Sequence, residues 1–125
     1  MTQDSGFTIK EFTDLKSWQE GHKLVLSVYD ACSRFPKEEV YGLTSQLKRA
    51  SVSITSNIAE GFGRSSAKDR KHFWIIAVGS CYEVKNQLII ARDLQFISEL
   101  EYAELLHKAD TTHKLLHGLL RSHNV

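Results

Sequence analysis

Chemistry in this chain would have to come from histidines gathered near its C-terminal end, two cysteines, scattered serines and carboxylates, and a run of cations that begins at Lys48. His107, His113, His117 and His123 lie in or beside the last helical pattern. Glu104 to His107 and Asp110 to His113 both have carboxylate-x-x-His spacing. A di-iron bundle needs such pairs on two different helices, with a further carboxylate from each of the others. Here both pairs share one stretch, and their six-residue offset turns the second about 120° from the first. They do not face one metal centre. His113 and His117 with Asp110 would at most hold an adventitious zinc, and a polar flank beside a leucine stripe outweighs that reading. His22 falls within the apolar stripe of the first helix and reads as a buried neutral histidine. No metal and no cofactor is expected.

Nucleophilic chemistry has no better support. No serine sits in a Gly-x-Ser-x-Gly elbow. Cys81 lies among Ala77 and Val84 in a packed pattern, with nothing to depress its pKa. Glu60 and Glu83 would act as a carboxylate pair only if their helices faced correctly. The chain is therefore read as not an enzyme. The turn Gly61-Phe62-Gly63-Arg64-Ser65-Ser66 leads to a helix start followed by cations, which suits a phosphate. It lacks the Gly-Lys-Ser/Thr spacing of a P-loop, and a helix stop followed by a helix start explains it. Between Lys48 and Lys71 there are six cations, Lys48, Arg49, Arg64, Lys68, Arg70 and Lys71, against two acids, Glu60 and Asp69. Acids collect instead at Glu99, Glu101, Glu104 and Asp110. Two readings of the basic stretch balance: a phosphate-contacting patch, or a solvated face with intersubunit salt bridges.

The elements that must position these residues are helices. One proline and seven glycines in 125 residues leave room for long uninterrupted runs. Residues 1–13 read as an irregular tail with Phe7, Ile9 and Phe12, in which one or two aromatics are pinned to the body. Asp14 is placed to cap a first helix over 15–34, with Leu15, Trp18, His22, Val25, Tyr29 and Cys32 as its stripe. Phe35-Pro36 ends it. A second helix over 41–60 buries Leu43, Leu47, Ala50, Ile54 and Ile58, and its back carries Ser45, Val52 and Ala59, small enough for close approach by another subunit. Asn57 reads as a hydrogen-bonder at the edge of the buried face. A third helix over 67–94, started by Ser66 with Asp69, packs Phe73, Ala77, Ser80, Val84, Leu88 and Ala91. It also carries Ile75, Val78, Tyr82 and Ile89 on another side. A helix apolar on two faces in a short chain implies a subunit contact. Ser98 with Glu101 starts a fourth helix over 99–122, whose stripe is Tyr102, Leu105, Leu106, Ala109, Thr112, Leu116, Leu119 and Leu120. Short connections favour antiparallel neighbours, so the fold expected is all-α: an up-down-up-down four-helix bundle over 14–122 that forms a homo-oligomer.

Composition bounds the partners. The net charge of +1 excludes a dominant field of either sign, so nucleic acid would be met by a local patch. Two cysteines do not make a disulfide framework, and a reduced cytoplasmic setting fits them. No signal peptide is read in Met1 to Gly6, and no apolar run is long enough for a membrane span.

Several pieces resemble a known family. They are Asp14-Leu15-Lys16 with Trp18-Gln19, Phe35-Pro36, the run from Tyr41 to Leu47, the run from Ser56 to Gly61, and Gly79-Ser80 with Glu83. In this order and spacing they resemble the four-helix-bundle proteins encoded by intervening sequences in bacterial 23S rRNA genes. Thr55 stands where that pattern has proline, and Cys81-Tyr82-Glu83-Val84 replaces a run richer in glutamate. The resemblance implies antiparallel four-helix subunits assembled as a homopentamer. It also implies similarity to the accessory variability determinant proteins of diversity-generating retroelements, which are pentameric barrels that bind nucleic acid and a reverse transcriptase. It supplies no catalytic residues. The expected function is a non-enzymatic oligomeric scaffold that meets RNA or DNA phosphates through Lys48, Arg49, Arg64, Lys68, Arg70 and Lys71. Its subunits would meet through Ser45, Val52, Ala59, Ile75, Val78, Tyr82 and Ile89. The alternative is a module that docks a protein partner without touching nucleic acid; a metal-dependent or hydrolytic enzyme comes third.

Overall fold

The computed structural model describes residues 8–122. Readings that fall on Met1 to Phe7 and on His123 lie outside the described residues. Four helices carry the fold: α1 Lys16–Cys32, α2 Leu43–Phe62, α3 Ala67–Asp93 and α4 Glu99–Ser122. Short 3-10 turns occupy Phe12–Asp14 and Lys37–Glu39. α1 packs against α2 and α4, and α3 packs against the same two, with the most extensive contact between α2 and α3. The core runs between all four, from Leu15, Leu24 and Val28 through Leu47, Ile54 and Ile58 to Trp74, Val84, Leu88, Ala109 and Leu116.

The tail is more ordered than its irregular sequence suggests. Ile9 is buried and Phe12 packs edge-on to Trp18 at 5.5 Å. Asp14 does not cap α1: its carboxylate accepts from the backbone N–H groups of Lys10 and Glu11, both at 3.0 Å, and so closes the 3-10 turn. The α1 stripe is also displaced. Ser17, Gly21, Leu24, Val28 and Ala31 face the core, whereas His22 and Tyr29 are exposed and His22 stacks on Trp18. Gly21 explains this choice. A Cβ there would meet Thr55 Cγ2 at 3.1 Å and Thr112 Cγ2 at 3.5 Å, so α2 and α4 close on α1 where its side is smallest.

α2 starts two residues later than the apolar pattern suggests, because Glu39 Oε1 accepts from Leu43 N at 3.1 Å and leaves Tyr41 outside. Its five predicted core residues are all buried. Within the subunit α2 and α3 meet at small residues: Ser80 Oγ donates to Ser53 Oγ at 2.8 Å, and Asn57 Nδ2 donates to Ser53 O at 2.8 Å. Asn57 is thus the edge hydrogen-bonder expected. In α3 the fully buried aromatic is Trp74, not Phe73, which is half-buried. Ser66 Oγ accepts from Asp69 N at 3.1 Å and caps α3 as expected. At α4, Ser98 Oγ accepts from Glu101 N at 3.0 Å, but the Glu101 carboxylate turns to Arg34 rather than completing a capping box.

α3 ends in a Schellman motif built without glycine. Phe96 N donates to Ala91 O and Gln95 N to Arg92 O, each at 2.9 Å, and Gln95 sits at φ 64. A glutamine held in the left-handed region is strained relative to glycine. Gln95→Gly is expected to stabilise the fold by about 0.5–1 kcal/mol, read as a raised urea midpoint at unchanged m value.

Candidate nucleic-acid interface

The six predicted cations do not form one patch. Lys48 and Arg49 sit near the start of α2, while Arg64, Lys68, Arg70 and Lys71 surround its far end and the start of α3, about 20 Å away along the helix. The two groups differ in what they offer. Arg64 Nη2 reaches Glu60 Oε2 at 3.7 Å, and its guanidinium lies 4.6 Å from the Phe73 ring centroid. Arg70 is half-buried, with its Nε enclosed and unpaired among the described residues. Lys68 projects into solvent and Lys71 is half-buried. The Glu60–Arg64 contact also engages the carboxylate considered for a pair with Glu83.

Lys48 and Arg49 instead line a groove of about 430 Å³ between α1 and α2, together with Tyr29, Val40, Thr44, Ser45 and Val52. Lys48 Nζ stands 4.7 Å from the centroid of the Tyr29 ring, a cation–π contact that holds the ammonium at the groove instead of in bulk water. Among the described residues no acid lines this groove. The acids gather in a separate cleft between α1 and α4, where Asp30, Glu101 and Glu104 lie beside Leu26 and Lys108. Ser45 and Val52, expected at a subunit contact, are walls of the cationic groove, and Ala59 is half-buried further along α2. Tyr29 and Thr44 had been hidden from view in the sequence. Tyr29 belongs to the stripe expected to be buried in α1, but the Gly21, Leu24, Val28, Ala31 face takes the core and leaves it outside.

The α3 side of the predicted contact is present as an exposed apolar face. Ile75 is 53% exposed, Tyr82 60% and Ile89 40%, with Val78 half-buried beside them. Ile76 and Ile90 extend the same face and were absent from the predicted set.

A polar cluster joins α3 to α4. Lys85 Nζ lies 2.8 Å from Asp110 Oδ1 and 2.7 Å from His113 Nδ1, and His113 Nε2 lies 2.9 Å from His117 Nε2. An ammonium only donates, so His113 Nδ1 accepts, and the neutral ring carries its proton on Nε2 and donates to His117. His113 is buried rather than on a polar flank, and Tyr82 packs edge-on to it at 4.8 Å. This arrangement opposes the zinc reading. Ligation through Nε2 would require a proton on Nδ1, where Lys85 already points, and Asp110 is engaged by the same lysine. Among the described residues no group of three or more His, Cys, Asp or Glu side chains is gathered for a metal. Both thiols are pushed up by burial, Cys32 to about 11 and Cys81 to about 12, the opposite of an activated nucleophile. Among the described residues no helix is long and apolar enough to cross a membrane.

The family described as 23S rRNA-intervening sequence protein matches residues 13–118. The chain belongs to this family. The match takes in α1, α2 and α3 whole and most of α4, so the groove and the α3–α4 cluster both lie inside the family's bounds. Among solved structures, one that this intervening-sequence protein is similar to is a protein of unknown function from the S23 ribosomal protein family of Bacteroides thetaiotaomicron. The two share 18% identity with a TM-score of 0.78, over 84% of this chain and 95% of that one. At that identity the likeness speaks to the fold. No curated protein matches the chain.

Proposed function

We propose that this intervening-sequence protein is a non-enzymatic, homo-oligomeric scaffold that associates with nucleic acid, with Lys48 and Arg49 as the primary phosphate contacts. The observation that carries the reading is the groove between α1 and α2, which among the described residues gathers two cations and a tyrosine without an acid. Lys68 and Lys71 at the opposite end of α2 add weaker contacts, while Arg64 is engaged by Glu60 and the Phe73 ring and Arg70 is half-buried. The subunit is an antiparallel up-down-up-down bundle, a reading supported by the short connections and by the pairing of each helix with two neighbours. Copies meet through the outer face of α3, and the family resemblance favours five of them.

The test is charge reversal. Lys48→Glu with Arg49→Glu is expected to weaken RNA or DNA binding at least about tenfold. It should also flatten the dependence of log affinity on log salt by about 1.5–2, one phosphate for each lost cation. A wild-type protein that binds neither RNA nor DNA at low salt ends the reading. The exposed α3 face supports a second one, in which that surface docks a protein partner such as a reverse transcriptase. A protein captured on the wild type, resistant to nuclease and lost in Tyr82→Glu, would favour it.

A further inference from the structure

We infer that the α1–α2 groove takes one nucleotide of a single strand, with its phosphate on Lys48 and Arg49 and its base against Tyr29, Val40 and Val52. This rests on the nucleic-acid reading above and deepens it. The decisive residue is Thr44. It lines the groove, is only 7% exposed, and its Oγ1 is buried without a partner among the described residues. A buried hydroxyl is rarely left unpaired; this one is enclosed in the free protein, and a ligand pairs with it once the Thr44 side chain turns its hydroxyl toward the groove. A base edge offers both donors and acceptors to a hydroxyl, whereas a phosphate alone offers only acceptors.

The walls argue the same way. A duplex backbone presents charge and sugar to a protein surface, and would use Lys48 and Arg49 but not the apolar sides supplied by Val40, Val52 and the Tyr29 ring. A single strand presents unstacked bases whose faces pack on aromatic and apolar side chains. Tyr41, next to Val40 in the chain and 94% exposed, places a second ring at the same end of α2. The groove volume of about 430 Å³ lies in the range of sites that hold small organic ligands, about 300–1,000 Å³. The site is not a simple helix N-terminus, because Glu39 already accepts from the first α2 amide at Leu43. It is the side of α2, with Lys48 anchored in advance on Tyr29.

The experiment is fluorescence anisotropy at low salt with a short single-stranded RNA, its DNA equivalent and the matching duplex. Wild type is expected to prefer the single strands about tenfold or more over the duplex. Tyr29→Leu should lose about tenfold of single-strand affinity, since it removes both the ring the base packs on and the ring that holds Lys48 at the groove. Thr44→Val should lose several-fold and alter the ranking of homopolymers, and Thr44→Ser should restore both. Circular dichroism checks that each variant folds, and the valine–serine pair carries the test alone if Tyr29→Leu does not. Equal affinity for strand and duplex, with Tyr29→Leu and Thr44→Val silent but Lys48→Glu/Arg49→Glu weak, overturns the groove inference and leaves the phosphate reading standing. No binding of any probe removes both. Loss of self-association in Lys48→Glu/Arg49→Glu, with no RNA bound by wild type, makes the groove a contact between copies and also overturns the inference.

Discussion

Gly61→Ala is expected to destabilise this protein by about 3 kcal/mol, the upper end of ordinary overpacking effects. A methyl at Gly61 would fall 2.4 Å from Trp74 Nε1, 2.7 Å from Trp74 Cδ1 and 3.0 Å from the backbone oxygen of Arg70. Neither neighbour yields easily. Trp74 is fully buried, and its Nε1 donates to Ile58 O at 3.2 Å, so a ring displaced by the methyl also loses its hydrogen bond. The Arg70 oxygen is held by the first turns of α3. Relief would require α2 and α3 to separate beside the short turn that joins them. The urea midpoint should fall at constant m value. Gly63→Ala is the matched control. Its nearest neighbours would be 3.6 and 3.9 Å away and its φ of −75 is ordinary, so stability should change by less than about 0.5 kcal/mol. Pairing Gly61→Ala with Trp74→Leu should cost less than the sum of the two single changes, because the tryptophan is the group in the way. A Gly61→Ala protein as stable as wild type would show that the two helices are not held at this distance.

Acidification should loosen the seam between α3 and α4. His113 is held below the usual histidine value of 6.5, first by burial, then by the charge of Lys85, then by His117, with Asp110 pulling the other way. A folded-state pKa below the unfolded one means that the unfolded chain binds more protons in between, so stability rises with pH there. The contribution is complete above about 6.5 and is lost as pH falls through the folded-state value. The geometry explains the loss. A second proton on His113 must go to Nδ1, which faces the Lys85 ammonium at 2.7 Å. Among the described residues the carboxylate in direct contact with this group is Asp110, which already pairs with Lys85 when His113 takes its charge. Urea midpoints measured from pH 7.5 down to 5 should decline for the wild type. In His113→Gln, whose side-chain oxygen still accepts from Lys85, the decline should shrink. A flat wild-type profile over that range would sink this account of the cluster.

The helices were legible because their signals are local. Leu43, Leu47, Ala50, Ile54 and Ile58 repeat at helical spacing, and all are buried. Ser66 and Ser98 announce α3 and α4 through hydroxyls that cap the residue three positions on. Where one face is nearly as apolar as the next, periodicity does not choose between them. In α1 the aromatic stripe through Trp18, His22 and Tyr29 competes with the smaller one through Gly21, Leu24 and Val28. Tertiary packing selects the smaller, because Thr55 and Thr112 must come close at Gly21. Phe73 and Trp74 pose the same choice in α3, settled by the space that Gly61 leaves. The candidate site was half visible. Lys48 and Arg49 stand out by charge, but their separation from Arg64 to Lys71 is a matter of helix length, and their companions Tyr29 and Thr44 join them only through packing. Lys85 and His113 lie 28 residues apart, and nothing local in the chain links them.

The two sealed thiols turn the protein into its own reporter of motion. Cys81 is fully enclosed in the body of the bundle, while Cys32 closes the last turn of α1 at 5% exposure. A thiol reagent reaches either one through opened molecules, so each labelling rate measures how often its surroundings part. Equal rates would describe a body that opens as one piece. A faster Cys32 would describe fraying that starts where α1 ends, beside the groove, and leaves the interior shut.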